Sequence, residues 1–164
     1  MAKTSLVEND IIDGRYLLDA LKQSGFPVTM AFWWRRPDSG DWRLIIASPE
    51  VFKGPIEAYT FIQSVLADLS QESLSVSPFD FVPPFSIALN DISVAKPDES
   101  LVRLIRRVFA QTVGTQRLRP IPLPSRNLLM KFGTQRQGFS IPGVRLTQVT
   151  IDGAYIDDTF IYAL

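Results

Sequence analysis

The chain contains neither cysteine nor histidine in 164 residues. Disulfides, thiolate ligands, iron–sulfur clusters and thiol nucleophiles are thereby excluded, as is every proton transfer or metal ligation by imidazole. A serine nucleophile would have to use lysine as its base. A metal would have to be held by oxygen alone, which favours Mg²⁺, Mn²⁺ or Ca²⁺. Long apolar runs are lacking too. Nothing approaches the roughly 18 residues of a membrane-spanning helix, and Lys3, Glu8, Asp10 and Asp13 interrupt residues 1–15, where a secretion signal would be apolar. There is no internal repeat and no low-complexity tract. A cytoplasmic protein is expected, forming one domain over residues 1–164.

Hydrophobic residues make up 46% of the chain and include eleven Phe, four Tyr and three Trp, enough for a core without staples. Ser5 and Glu8 have capping-box spacing, and Val7, Ile11, Leu17, Leu18 and Leu21 follow at helical intervals, predicting a first helix over about 6–24. Gly14 inside it lowers helix propensity by about 1 kcal/mol against Ala and points to close packing there. Strands over 28–36 and 41–48 flank Pro37-Asp38-Ser39-Gly40 as a hairpin. Met30, Phe32 and Trp34 are expected on one face with Trp42, Leu44 and Ile46 across the pair.

Pro55 at a first helical position starts a second helix to about Leu69, with Ile62, Val65 and Leu66 in its apolar stripe. Three prolines make 70–84 a loop. Phe85, Ile87 and Leu89, then Ile92 and Val94, alternate as one long or bulged strand. Pro97-Asp98-Glu99 opens a third helix to about Gln111, ending near Gly114. Residues 114–143 show no period and form a long basic, Pro-containing loop, with a short strand expected at 128–132. Asp152-Gly153 joins strands 144–151 and 154–162 in the strongest hairpin signal of the sequence. The order α-β-β-α-β-α-loop-β-β implies an α+β fold: a mostly antiparallel sheet of about five strands, with three helices packed mainly on one face.

Charge is unevenly spread although the formal net charge is zero: residues 96–145 hold ten Lys or Arg against Asp98 and Glu99. Such segregation either meets its complement within the fold or stays open to an acidic partner or polyanion. Arg103, Arg106 and Arg107 share the third helix's polar side, and Arg117, Arg119, Arg126, Lys131 and Arg136 follow in the loop. Together they are candidates for holding phosphates or an acidic partner. The alternative for the three helical arginines is a solvated face near a helix C-terminus, where the dipole favours positive charge.

A second candidate is the other hairpin face, where Trp33 and Ile45, flanked by Arg35 and Arg43, have the Trp and Arg enrichment of interface centres. Its alternative is burial under the 114–143 segment. Ser93 and Lys96 match a Ser-x-x-Lys spacing, but lie in a strand, where the period of two separates them. Asp10, Asp13, Asp152, Asp157 and Asp158 fit no metal-binding pattern, and Asp157 and Asp158 are expected to point to opposite faces. No phosphate-binding glycine loop is present. These residues imply no cofactor, no metal, no membrane and no identifiable small-molecule substrate.

The expected role is therefore a non-enzymatic interaction module, an accessory, regulatory or immunity-like subunit. It binds a protein partner or a second copy through the hairpin face or the basic loop. The alternative is a nucleic-acid-associated protein that contacts phosphates through residues 96–145.

Overall fold

Three helices and a five-stranded mixed sheet follow the expected order of elements. The computed structural model describes residues 5–6, 8–74, 85–115, 121–122, 140–141, 143–151, 154–162 and 164. Helix α1 (Glu8–Gln23) precedes the hairpin β1 (Met30–Arg35) and β2 (Trp42–Ala47). Helix α2 (Pro55–Leu74) leads to β3 (Ile92–Ala95), then come α3 (Ser100–Thr115), β4 (Ile121–Pro122), β5 (Ser140–Ile141), β6 (Gly143–Ile151) and β7 (Ala154–Tyr162). The large sheet runs β3-β2-β1-β7-β6. Only β2–β3 is parallel, because α2 carries the chain back to the end at which β2 began; β1–β2, β1–β7 and β6–β7 are antiparallel.

Two of the three helices share a face. Leu17, Leu18 and Leu21 of α1 and Ala58, Ile62 and Val65 of α2 bury against Ala31, Trp33, Leu44, Ile46 and Phe160. Helix α3 takes the opposite face, where Val102, Ile105 and Val108 meet Phe32, Ile45, Ala47 and Ile161. The central strands are thus apolar on both sides, which explains why their sequences, Met30–Arg35 and Trp42–Ala47, hardly alternate.

The hairpin faces combine differently from the sequence expectation. Arg36 N–H donates to the Asp41 carbonyl at 2.8 Å around the turn at 37–40, which pairs even-numbered with odd-numbered residues: Phe32 with Ile45, Trp33 with Leu44. Trp42, Leu44 and Ile46 therefore lie with Trp33, not with Phe32. Turn length sets that parity, and one step of parity moves every side chain to the other face.

The long strand expected over 85–94 is also shorter. Backbone groups of 85–91 find other partners. The Asp13 carboxylate accepts Ser86 N–H at 2.8 Å, Asp10 accepts the Ser86 hydroxyl at 3.0 Å, and Asp91 accepts Ala88 N–H at 3.0 Å around a 3₁₀ turn. Only Ile92–Ala95 is left to pair with β2. Within 114–143 the described residues contribute the ladder β4–β5, Ile121 with Ile141 and Pro122 with Ser140. The strand expected at 128–132 lies outside the described residues.

The C-terminal hairpin forms as expected, with β6 starting one residue earlier at Gly143 and with one irregularity. Gln148 adopts φ +52°, and the β6–β7 ladder pairs Thr147 with Asp158 and Val149 with Ile156 but skips the position between. Strict alternation from Phe160 would send Ile156 toward α1 and α2; instead it is fully buried on the α3 side. Facing slips by one residue at this point.

Candidate interaction surface

Trp33 and Ile45 are core residues. The Trp33 side chain is fully buried, and its indole N–H donates to the Tyr162 hydroxyl at 2.9 Å, which in turn donates to the Ile11 carbonyl of α1 at 2.8 Å. Gly14 makes this approach feasible, since a Cβ there would collide with the Tyr162 hydroxyl. Ile45 is buried on the opposite side, against α3. The four hairpin candidates therefore split between faces: Trp33 and Arg35 by alternation on one, Arg43 and Ile45 on the other. They do not form the expected patch, because the register divides them and helices cover both faces. Arg35 reaches Asp157 of β7 at 2.7 Å, and Arg43 donates to the Asn90 carbonyl.

Four of the carboxylates that fit no metal-binding pattern are engaged within the chain. Asp10 and Asp13 are almost completely buried on α1 and hold Ser86, as described above. Asp157 and Asp158 do not diverge as strand alternation implies. Asp157 pairs with Arg35, and Asp158 with Arg145 of β6 at 2.8 Å, both arginines lying on the α1/α2 side by register. Asp157 stands opposite Gln148, at the one position that the β6–β7 ladder omits. The Asp158 hydrogen bond pushes the Arg145 guanidinium still further above its ordinary range, while Arg36, hydrogen-bonded to Asp38 at 2.6 Å, holds that carboxyl below its own. Ser93 lies within β3 and Lys96 just after it, with the Lys96 ammonium 5.5 Å from the Phe52 ring centre.

Arg103, Arg106 and Arg107 are exposed together on α3, on the side away from Val102, Ile105 and Val108. Their position differs from the expectation of a helix C-terminus. The helix continues to Thr115 with no basic residue in its last turn, so Arg103 sits in the first turn and the other two near the middle. The dipole does not favour cations there. Arg117, Arg119, Arg126, Lys131 and Arg136 lie outside the described residues.

Among the described residues, Arg15 pairs with Asp19 at 3.1 Å, Arg36 with Asp38, Lys53 with Glu50 at 2.8 Å, and Arg35 and Arg145 with the two β7 aspartates. Neither Arg103 nor Arg106 has a carboxylate partner among those residues. The described residues include no group of three or more Asp or Glu placed to share a metal ion. An open depression is lined by Leu6, Glu8, Asn9, Ile11 and Arg145. No helix among the described residues is long and apolar enough to cross a membrane. Comparison with protein-family models, curated proteins and solved structures finds no match.

Proposed function

We propose that this chain is a non-enzymatic cytoplasmic interaction module that docks an acidic surface of another protein on α3, through Arg103, Arg106 and Arg107. The observation that carries the reading is the contrast between arginines. Those of α1, the sheet and the first turn are tied to groups of the same chain. Arg103 and Arg106, in contrast, are exposed without a carboxylate partner among the described residues. Arg103 and Arg106, about one turn apart, repel each other by about 0.2–0.5 kcal/mol. An acidic partner reverses that sign, and guanidinium groups offer it paired, planar donors. A protein is favoured over nucleic acid because Arg15, Arg35, Arg36 and Arg145 are ion-paired within the chain, which leaves a compact cluster and not a long positive stripe among the described residues.

The test compares wild type with Arg103→Glu/Arg106→Glu/Arg107→Glu, folded by circular dichroism, in affinity capture from the native cell with and without nuclease. The expected result is a protein partner that survives nuclease, is lost from the triple variant and dissociates as salt rises. Equal capture by both proteins overturns the reading. A signal abolished by nuclease, together with duplex DNA binding whose log K falls with log salt at about −0.9 per phosphate, replaces it with nucleic-acid binding.

A further inference from the structure

An open sheet has two edges, and among the described residues they are β3 and β6. Outward N–H and C=O groups on an edge template another strand unless something blocks them. On β3 the block is a side chain: Val94 N–H donates to the Tyr59 hydroxyl of α2 at 3.3 Å.

The β6 edge is the more hazardous by sequence. Residues 146–151 read Leu-Thr-Gln-Val-Thr-Ile, with no charge, proline or glycine and four β-branched side chains. That is the composition of segments that stack into cross-β assemblies. Arg145, the nearest charge on the strand, is engaged by Asp158. At the third of these six residues the backbone turns left-handed. Gln148 is the one non-glycine residue with positive φ among the described residues, and it is exposed, as are Thr147 and Thr150.

We propose that the left-handed turn at Gln148 keeps β6 from pairing edge to edge with a second copy of this chain. A strand docking on β6 needs outward-pointing donors and acceptors at a regular two-residue interval. The turn breaks that interval in the middle of the segment, so a docked strand bonds on one side of Gln148 or the other. On the inner side the β6–β7 ladder omits the pair of Gln148 with Asp157 and resumes in the same register beyond it. Glutamine has no special preference for this conformation, unlike glycine or asparagine, so the surrounding structure imposes it. Ile156, buried on the α3 side, pairs with Val149 next to the turn, so the test has to separate edge protection from support of Ile156. This inference is independent of the α3 arginine face.

The experiment follows oligomeric state by light scattering at rising concentration, and melting temperature, for wild type, Gln148→Asn, Gln148→Gly, Gln148→Thr and Gln148→Val. Asn and Gly accept the left-handed region; the β-branched residues resist it. Wild type and the Asn and Gly variants are expected to stay monomeric. The Thr and Val variants are expected to associate, and adding Thr147→Lys returns them to monomers. Thr and Val variants that stay monomeric while melting at lower temperature would overturn the inference, leaving Ile156 as the only reason for the turn. A wild type already associated and released by Thr147→Lys also overturns it. Should neither branched variant fold, hydrogen exchange in wild type decides: alternate, outward amides of β6 exchange freely if the edge is kept bare, whereas uniform protection contradicts the inference.

Discussion

Tyr162 shows how much one side chain near the C-terminus organises. Its hydroxyl joins β7 to α1 and closes the Trp33 indole N–H, linking the last strand to the first helix and the first strand. Burial pushes its phenol far above the ordinary value near 10, with the Trp33 hydrogen bond opposing. A raised folded value means stability that is fully present below about pH 10 and is lost as pH rises beyond it, by up to about 1.4 kcal/mol per pH unit. In Tyr162→Phe this part of the alkaline slope is expected to vanish. At neutral pH the variant leaves a buried N–H and carbonyl without their partner and loses about 1–3 kcal/mol. Denaturant midpoints of both proteins between neutral and alkaline pH check both statements, and an unchanged slope would contradict them. The sequence pointed to close packing at Gly14, since glycine inside a helix asks for a reason. It contained no sign that the neighbour would be a tyrosine almost 150 residues away, because that contact depends on how β7 enters the sheet.

At the scale of elements, helices and hairpins were readable where local periodicity and turn chemistry agree. Pro55 starts α2, and Asp152-Gly153 separates β6 from β7, as their local chemistry implies. The stretch 85–91 was not readable, because its alternating Phe85, Ile87 and Leu89 mimic a strand while its backbone is held by α1. That clasp should be measurable. Asp13→Ala removes the carboxylate that accepts the Ser86 N–H and is expected to destabilise the protein by about 1–3 kcal/mol, more than Ser86→Ala, which removes the hydroxyl bond to Asp10 worth about 0.5–1.5 kcal/mol. Limited proteolysis should cut near 85–91 faster in the Asp13 variant. Equal stability of the two variants would show that Asp13 does not hold this segment.

For the whole molecule, the sheet lies between two helices on one side and one on the other, so its central strands are dry on both faces. Trp33 and Trp42 are buried and Trp34 is half-buried. Iodide is therefore expected to quench only part of the indole emission, and Trp34→Phe should remove most of that part. Trp33→Ala is expected to cost about 3–5 kcal/mol as a core truncation. Iodide quenching that survives in Trp34→Phe and disappears in Trp33→Phe would place Trp33 at a surface after all. The interaction surface was legible in part. The arginines of α3 stand on the polar side of an apolar stripe that the sequence displays, whereas the hairpin candidates were divided by a register no local pattern specifies.

Sequence by itself determined the chemistry open to this chain, the kinds and order of its elements, and the apolar stripes that must be buried. Those properties follow from side-chain composition and from periods read within a dozen or so residues. Tertiary structure alone decided which face of each strand meets which helix, which carboxylates neutralise which arginines, and where facing slips at Gln148. Each of these depends on a pairing between distant segments, whose free energy comes from surfaces that exist only once both partners are in place.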